Sequence, residues 1–433
     1  MIMKHRFFIF SLGLWMVAAL SANAQQQGLI VRDSQGESNL TTLCPSLGCN
    51  VVRGLGDPQQ QVFLVVPVGV SLNTLLQSLQ GQADIVDAEI DQLVSLESPA
   101  LSLIPAGLSD TTLVHYYGAS LWGGYVNQPA NVIVRTAQTH LEFDVSGSDI
   151  VAMIDTGLDP DHPALAPVVL TGYDFTRNQK GADEKGDLDH STAAVLDSGG
   201  DKIPLFVTPW LAAVLTPAGA AALDNPEYAD FGHGTMTAGI VHMVAPTAKI
   251  LPLKAFSADG TGYLSNIVRA VYYAAGQHSK VLSMSFNFDS YSTEMANAIN
   301  YVSGRGLICV ASAGNDAEEI EVYPASLPNV MGVAATTDTD TQSTYTNYGP
   351  QVVWVAAPGD NIVSTYPYDT YSASSGTSFS APFVSGTAAL LLNVNSKEDQ
   401  STAAVAIAHA VYISPNLNHG RLDTYQAVGS VSK

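Results

Sequence analysis

Basic residues are scarce in this chain of 433 residues, which has 17 lysines and arginines against 39 aspartates and glutamates. The formal net charge is -22, and charged residues make up only 13% of the sequence. A surface this acidic repels phosphate backbones, so nucleic acid is not expected as a partner. We interpret the acidity as a contribution to solubility, because the acidic residues do not form a long interaction tail.

Cysteine is also rare, with three residues in the whole chain. Cys44 and Cys49 enclose a short loop and could pair in an oxidising compartment, although the sequence does not decide whether they do. Cys309 lies in the apolar run 307–310, which is typical of a buried packing residue rather than a nucleophile. Cysteines and histidines do not cluster with the spacing of a zinc site, so zinc is not expected.

After the first 24 residues the sequence lacks any apolar run long enough to span a bilayer, which takes about 20 residues. Residues 4–6 are basic, residues 7–20 are apolar, and residues 22–24 have the small-x-small form that signal peptidases cleave. We therefore predict that residues 1–24 are a secretory signal. The protein is expected to be secreted, to the periplasm or the extracellular space, without membrane attachment after cleavage.

The remaining chain divides into segments with different patterns. Residues 25–95 combine strand-like and helix-like runs and predict a small α+β domain. Residues 96–130 are mixed in composition and are predicted to be a connecting segment. Within residues 131–433 short apolar strands alternate with helices, which predicts an α/β fold: a parallel sheet with helices on both faces. Residues 174–230 fit this alternation poorly and are interpreted as an insertion.

Several elements are predicted individually from apolar periodicity. In the α+β domain these are strands over 29–31, 61–66 and 84–90, and a helix capped by Ser71. In the α/β region they are strands over 150–154, 249–253, 281–285 and 307–311, and helices over 265–275 and 293–303.

Asp155 directly follows the strand predicted over 150–154, in an Asp-Thr-Gly sequence. Chemistry in an open parallel sheet lies at the carboxyl ends of the strands, where a carboxylate can orient an imidazole. Asp-Thr-Gly is also a signature of aspartic proteases, and residues 197–199 (Asp-Ser-Gly) could be a second copy. The two copies are too close in sequence for the two all-β lobes of those enzymes, so we favour the orienting role.

His233 stands between two glycines at the start of an apolar helix that ends near Val244. A neutral imidazole can take a proton from a hydroxyl and return it, because its pKa lies near neutrality. Glycines on both sides allow other backbone and a substrate to approach the ring. An ordinary helix-start histidine is the alternative interpretation.

Ser378 precedes Pro382, and a proline is expected only in the first turn of a helix. The sequence therefore places Ser378 at a helix start, where free N–H groups favour a developing anion. Asn315 follows the strand predicted over 307–311, and its side-chain amide could donate to an oxyanion. Taken alone, Ser378 would be an N-cap residue and Asn315 a turn residue.

Four segments together resemble one known family, the subtilisin-like (S8) serine proteases. They are residues 155–157 (Asp-Thr-Gly), 232–235 (Gly-His-Gly-Thr), 313–315 (Ala-Gly-Asn) and 376–382 (Gly-Thr-Ser-x-x-x-Pro), in the family's order. The resemblance extends over about residues 131–428, with further matches at residues 258–262, 323–324, 357–359 and 420–423.

The resemblance implies a serine endopeptidase that acts on proteins or peptides. Asp155 would orient His233, the general base and acid, and Ser378 would be the nucleophile that forms an acyl-enzyme. Asn315 and the backbone N–H of Ser378 would form the oxyanion hole. Substrate backbone would be bound by Gly260, Gly262, Ser285, Phe286, Asn287, Ala313 and Gly314. A relative that binds peptides without cleaving them is the rival hypothesis, and the presence of all four reactive residues argues against it.

The resemblance also implies that residues 25–95 are a propeptide, which assists folding and then inhibits the enzyme, with the processing site in residues 96–130. An accessory domain is the alternative. A monomer is expected, and the chemistry requires no cofactor. Many relatives bind structural calcium, and Asp183, Asp187 and Asp189 could supply oxygen ligands, although a solvated run of charge is the simpler interpretation.

The sequence departs from the family pattern at three places. Asn287 stands where glycine is common beside the primary specificity pocket, and Thr237 replaces a usual apolar residue. The interval from Asp155 to His233 is longer than in the simpler members, because it contains the insertion, which could fold over the substrate cleft. Residues 316–322 carry four carboxylates beside the same pocket, and we expect them to point outward and leave an apolar pocket.

Overall fold

The chain forms separate sheets, with antiparallel strands in its first part and parallel strands in its second part. This is a computed structural model, which describes residues 27–96 and 98–432. The predicted signal, residues 1–24, lies outside the described residues. The strands are β1 (Leu29–Asp33), β2 (Cys49–Gly54), β3 (Val62–Pro67), β4 (Ile85–Ile90), β5 (Leu93–Ser95), β6 (Leu113–Tyr116), β7 (Ala119–Trp122), β8 (Ile150–Asp155), β9 (Tyr173–Asp174), β10 (Gln179–Lys180), β11 (Ile203–Thr208), β12 (Leu211–Leu215), β13 (Lys249–Lys254), β14 (Thr261–Tyr263), β15 (Val281–Met284), β16 (Ile308–Ser312), β17 (Met331–Thr336), β18 (Val355–Pro358), β19 (Ile362–Tyr366) and β20 (Thr370–Ser374).

The helices alternate with these strands. They are α1 (Glu37–Leu47), α2 (Leu72–Gln80), α3 (Gly123–Val126), α4 (Pro129–Ile133), α5 (Thr136–Phe143), α6 (His190–Asp197), α7 (Pro217–Leu223), α8 (His233–Val244), α9 (Leu264–Gly276), α10 (Thr293–Ser303), α11 (Thr377–Val394), α12 (Gln400–Ile407) and α13 (Thr424–Val431). Short 3-10 turns occupy Ala106–Ser109, Glu184–Asp187, Pro226–Tyr228 and Pro415–Leu417.

The N-terminal unit is an antiparallel sheet of order β2-β3-β1-β4 that packs with α1 and α2 around its own core. The three predicted strands are present as β1, β3 and β4, and the Ser71 hydroxyl accepts a hydrogen bond from Thr74 N as the cap of α2. Sequence patterns missed α1 and β2, because α1 contains Pro45 and carries only two buried residues. Cys44 and Cys49 form a disulfide that joins the end of α1 to β2.

The large sheet has the order β10-β9-β13-β8-β15-β16-β17-β18, and all neighbours except the β10–β9 pair run parallel. Alternate residues of β8 belong to different cores: Val151 and Met153 pack with α8 and α11, whereas Ala152 and Ile154 pack with α9 and α10. Helices therefore cover both faces, as predicted. The four strands and two helices expected in this region are confirmed to within one or two residues.

The insertion completes a second sheet of order β11-β12-β20-β19. Strand β11 pairs antiparallel with β12, and β12 pairs antiparallel with β20. Ser364 of the neighbouring β19 donates a hydrogen bond to Met236 O in α8. The insertion is thus an ordered part of a sheet whose other edge strand, β19, lies against α8. The first part of the insertion, over β9 and β10, extends the edge of the large sheet instead.

Residues 96–130, expected to connect two domains, carry the hairpin β6–β7 and helix α3. Leu101, Leu108, Leu121 and Tyr125 lie in the main core together with α8 and α11. These elements are too short to show a clear period in the sequence. The segment is consequently part of the larger unit in its packing.

Helix α11 begins at Thr377, so Pro382 lies in its second turn and not in the first, where it was predicted. A proline cannot donate to the carbonyl four residues earlier, which is that of Ser378. Ser285 Oγ donates to this carbonyl at 2.8 Å. A side chain from another strand end therefore satisfies the carbonyl that the proline leaves unpaired.

No helix among the described residues is both long and apolar enough to cross a lipid bilayer.

Three carboxylates join the N-terminal unit to helices of the larger unit. Arg32 of β1 makes two hydrogen bonds, of 2.8 and 2.6 Å, to Glu294, which is fully buried in the first turn of α10. Glu89 accepts from Ser292 Oγ and Thr293 N at the start of the same helix. Asp91 accepts from Ser265 N and Oγ at the start of α9. Carboxylates suit helix N-termini, because the unpaired N–H groups there carry partial positive charge.

We predict that Arg32→Ala lowers the free energy of unfolding of the unprocessed chain by roughly 3 kcal/mol, because it leaves the Glu294 carboxyl group buried without its cationic partner. Urea denaturation would measure the effect. Lys397→Ala, which removes an exposed cation elsewhere, serves as the control and should change little. The double variant Arg32→Ala/Glu294→Ala should be less destabilised than Arg32→Ala alone. Equal losses in the single and double variants would contradict a coupled pair.

Candidate active site

The carboxyl edge of the large sheet brings together residues that are far apart in sequence. Strand β8 ends at Asp155, β15 is followed by Ser285, and β16 is followed by Asn315. Helices α8 and α11 begin at the same edge and carry His233 and Ser378 in their first turns. Because parallel strands share one carboxyl edge, the motifs meet there despite their separation.

Asp155 and His233 form the central contact, with 2.7 Å between Asp155 Oδ1 and His233 Nδ1. Asp155 Oδ1 also accepts from Thr156 N at 2.7 Å, and Oδ2 accepts from Thr237 Oγ1 at 2.9 Å. Both side chains of the pair are about 4% exposed. Donors thus surround this buried carboxylate and fix it in one orientation. Thr237, noted in the sequence only as a departure, is one of those donors.

Negative charge around His233 raises the pKa of its imidazole by more than burial lowers it. Burial by itself lowers the pKa of this imidazole, but the charge and hydrogen bond of Asp155 raise it, with smaller contributions from Asp230 and Glu184. The net result is a pKa of His233 above its ordinary value. An imidazole in this environment is a stronger base than one in water, because the protonated form is stabilised by nearby negative charge.

Ser378 is the second residue of α11 and is 4% exposed. Its Oγ donates to Ser285 O at 3.1 Å. His233 Nε2 is buried and has no hydrogen-bond partner within residues 27–96 and 98–432. The Ser378 hydroxyl therefore uses another acceptor in this conformation and must turn toward the imidazole before it can donate to it. Such contacts often tighten only when a substrate is bound.

Asn315 is oriented by the residue that precedes Ser378. Its Oδ1 accepts from Thr377 N at 3.0 Å and from Thr377 Oγ1 at 3.1 Å. Its Nδ2 lies 3.6 Å from the position that a Cβ on Gly376 would occupy. The side-chain amide of Asn315 is thus held at the start of α11, and an amide donor in this position suits an oxygen that gains negative charge.

Gly260 and Gly262 lie at the strand β14, which pairs antiparallel with β5 of the chain itself. Leu96 N continues the pairing by donating to Gly260 O at 2.9 Å. A Cβ at Gly262 would lie 2.5 Å from Ala255 O, so the close packing of β14 on its support requires glycine there. The predicted substrate edge is therefore already occupied by residues 93–96.

The other predicted substrate-binding residues lie across the site. Ser285 and Phe286 are buried, and Asn287 is half-buried. Ala313 is fully buried in the core, and Gly314 N donates to Thr377 Oγ1. Within the described residues, the segment 285–287 does not pair as a strand with another segment.

Residues 98 and 99 lie next to the site. Ser98 borders a small cavity together with His233, Trp210 and Phe379. Pro99 Cδ lies 3.4 Å from the position of a Cβ on Gly376, the point that Asn315 Nδ2 also approaches. Residues 93–96 therefore lie on the β14 edge, and residues 98–99 lie beside His233 and Gly376.

The insertion borders the same cleft. Leu101 N donates to Pro209 O at the turn of the β11–β12 hairpin, at 2.9 Å. Trp210 follows in the same turn and lines the cavity beside His233. The expectation that the insertion folds over the substrate cleft stays a prediction, and Trp210 places the insertion's hairpin beside His233.

The three candidate calcium ligands have different partners. Asp183 caps a 3-10 turn, and Asp189 caps α6. Asp187 forms ion pairs with Arg177 and with Lys254 Nζ, the latter at 2.6 Å. The interpretation of these residues as a solvated run of charge is therefore wrong for Asp187, whose side chain is 8% exposed. The described part of the chain holds no group of three or more acidic, histidine or cysteine side chains arranged for a metal ion.

The four carboxylates of residues 316–322 are all exposed. Asp316 accepts a hydrogen bond from Asn347 Nδ2, and Glu321 accepts one from the Tyr323 hydroxyl. Val322 of the same segment is fully buried. The segment thus directs its charges to solvent and its apolar side chain to the interior.

Sequence patterns missed two residues that contact this arrangement. Glu184 and Asp230 contribute to the charge at His233, yet each lies in or beside the insertion, where no motif marks it. A carboxyl residue three positions before His233 is the only signal that could have identified Asp230.

Comparisons with known proteins agree with this geometry. A family model described as the subtilase family matches residues 147–429. A thermophilic serine proteinase from Bacillus sp. (strain AK1) is 33% identical over 314 residues, which cover 70% of this chain and 67% of that protein. Thermitase from Thermoactinomyces vulgaris is 32% identical over 291 residues, which cover 64% of this chain and 88% of thermitase.

A third relative, subtilisin BL from Lederbergia lenta, is 35% identical over 173 residues, which cover 38% of this chain and 64% of that protein. The family match spans more than half of the chain and contains the four motifs that meet at the sheet edge. The chain therefore belongs to the subtilase family, and it is a serine-type endopeptidase.

Proposed function

We propose that this endopeptidase acts through Ser378 as nucleophile, His233 as general base and acid, and Asp155 as the residue that orients His233. The buried hydrogen bond between Asp155 and His233 carries this assignment, because it fixes Nδ1 as the protonated nitrogen and leaves Nε2 to accept a proton. Ser378 at the start of α11 is the hydroxyl that the same edge supplies.

In the first step, the Ser378 hydroxyl turns from Ser285 O to His233 Nε2 and gives up its proton as Oγ attacks the peptide carbonyl. Asp155 stabilises the imidazolium that forms. Asn315 Nδ2 and Ser378 N donate to the carbonyl oxygen as it gains charge. The imidazolium then protonates the leaving amine, and an acyl-enzyme remains on Ser378. In the second step water attacks this ester with His233 again as base, and the imidazolium returns the proton to Ser378 Oγ as the bond to the acyl group breaks and the carboxylic acid product leaves.

We further propose that the N-terminal unit, residues 25–95, is a propeptide that inhibits the enzyme until it is released. Its last strand, β5, occupies the β14 edge in the manner of a substrate strand. Leu96 lies on the β14 edge and Ser98 borders the cavity beside His233, so self-cleavage between Leu96 and Pro99 is the simplest route to the mature enzyme. The protein would be secreted and act as a monomer on protein substrates, without a cofactor in the chemistry.

We expect Ser378→Ala to abolish measurable hydrolysis of casein, because the turnover number should fall about a millionfold. This magnitude is the one known for the corresponding serine of subtilisin. The secreted variant should keep its N-terminal unit, whereas the wild type should begin between residues 97 and 99. Activity assays measure the loss of hydrolysis, and N-terminal sequencing measures whether the N-terminal unit is retained. Ser380→Ala, which changes a neighbouring serine in the same helix, is the control. Variant activity within tenfold of the wild type would refute the assignment.

Asn315→Leu should lower the turnover number about a hundredfold to a thousandfold with little change in the Michaelis constant, because the amide donates mainly to the charged oxygen of the transition state. This magnitude is also the one known for the corresponding subtilisin donor. Steady-state kinetics on a peptide substrate would measure it. A higher Michaelis constant with an unchanged turnover number would instead identify Asn315 as a substrate-binding residue.

Inhibition by the separate N-terminal unit should weaken as the pH rises. Burial against the larger unit raises the pKa of Glu89 to about 7 and that of Asp91 to about 6, from ordinary values of 4.5 and 3.8. A raised pKa in the complex means that the complex holds protons that the free unit releases, so binding is tightest at low pH and weakens through pH 6–7.

Inhibition constants measured between pH 5 and pH 8 test this dependence. The double variant Glu89→Gln/Asp91→Asn should remove most of it, whereas Asp84→Asn, at an exposed position of the same unit, should not. An inhibition constant that falls as the pH rises would contradict the assignment.

A further inference from the structure

The insertion places a buried carboxylate next to the Asp155–His233 pair. Glu184 begins the 3-10 turn Glu184–Asp187 and is 0% exposed. Its Oε2 accepts from Thr156 Oγ1 at 2.9 Å and from Gly232 N at 3.0 Å. Its Oε1 accepts from Thr235 Oγ1 and from Thr235 N. One side chain thus satisfies four donors.

All of these donors belong to residues adjacent to the reactive pair. Thr156 follows Asp155, and its N donates to the Asp155 carboxylate. Gly232 and Thr235 flank His233 in the first turn of α8. Thr156 Oγ1 also accepts from Gly234 N at 2.9 Å, so these hydrogen bonds form one connected network. Glu184 therefore ties the turn after β8 to the start of α8.

The turn after β8 and the start of α8 also pack closely against each other through their backbones. A Cβ at Gly234 would lie 1.8 Å from Gly157 O. The helix start and the turn therefore approach each other so closely that only glycine fits at position 234. N–H groups at a helix start favour an anion, and a carboxylate can accept from several of them at once. Lys254 Nζ fixes the same turn from the opposite side by donating to Thr156 O at 2.7 Å.

We propose that Glu184 is a positioning residue for catalysis, which holds the turn after Asp155 against the first turn of α8 and so sets the geometry of the Asp155–His233 pair. This inference rests on the proposed roles of Asp155 and His233. It assigns to the insertion a part in the chemistry, in addition to its place beside the cleft.

The charge of Glu184 gives the proposal a signature that a purely structural role lacks. Burial raises the pKa of Glu184 to about 7, while hydrogen bonds from Thr235 and Thr156 and the charge of Lys254 lower it and Asp155 raises it. The Tyr366 hydroxyl of β19 also faces this carboxylate. His233 in turn faces the carboxylates of Asp155, Asp230 and Glu184. Loss of the Glu184 charge should therefore lower the pKa of His233.

The test is Glu184→Gln in the full chain, with Asp201→Asn, an exposed carboxylate of the same insertion, as the matched control. Glutamine keeps the size of the side chain but replaces one acceptor oxygen with a donor. We expect a tenfold to hundredfold loss in the turnover number per active site, with the Michaelis constant changed less than threefold, as for a small displacement of catalytic groups. Titration of Ser378 with a fluorophosphonate counts the active sites.

The pH profile separates positioning from folding. The acidic limb of kcat/KM reports the base of the free enzyme, so it should move to lower pH in Glu184→Gln and stay in place in Glu184→Asp, which keeps the charge. Asp201→Asn should match the wild type in turnover number and in profile. An unchanged turnover number per active site with an unchanged acidic limb in Glu184→Gln would overturn the proposal.

A second measurement does not require activity or maturation. In full chains that carry Ser378→Ala, the His233 imidazole can be titrated by NMR with and without Glu184→Gln. A lower pKa of His233 in the double variant supports the proposal, and an equal pKa overturns it. If the wild type itself fails to hydrolyse casein or to react with the fluorophosphonate, the proposed function is wrong. That result is distinct from an unchanged pKa of His233 in the double variant, which would overturn only the role of Glu184.

Discussion

The burial of a carboxylate at the end of β8 is the constraint on which the rest of the site depends. A charge removed from water is tolerated only if donors surround it, and Asp155 receives them from Thr156, Thr237 and His233. Two of these donors lie in the first two turns of α8, so the carboxylate also determines where that helix must begin. The sheet edge, the helix start and the orientation of the imidazole are thus consequences of one desolvated charge.

The same principle recurs where the N-terminal unit meets the larger one. Glu89 and Asp91 lie at the starts of α10 and α9, and Glu184 lies at the start of α8. In each case an acidic side chain from a separate part of the chain satisfies N–H groups that the helix itself cannot pair. The chain is rich in acidic residues and poor in basic ones, and part of that excess serves this purpose rather than solubility.

The long, apolar and regularly spaced elements could be predicted from the sequence, because burial on both faces of a parallel sheet leaves continuous apolar strands such as β8 and β16. The residues that we propose as reactive could be selected from the sequence because short motifs mark strand ends and helix starts. Helix α1, strand β2 and the elements of residues 96–130 are too short or too irregular to give a period. The position of Pro382 could not be predicted, because the group that compensates for it, Ser285 Oγ, comes from a distant strand end. Glu184 was missed for the same reason, since its partners are distant in sequence.

The packing of residues 98–130 determines what a cut between Leu96 and Pro99 would achieve. Residues 93–96 stay paired with β14, and Leu101 and Leu108 stay in the main core, so breaking the covalent bond frees neither new end by itself. Hydrolysis and release would be separate events, the first governed by chemistry and the second by a docking equilibrium. Onset of activity would then show a lag that reflects the dissociation of a folded unit, and the new amino terminus would remain a fixed part of the cleft wall.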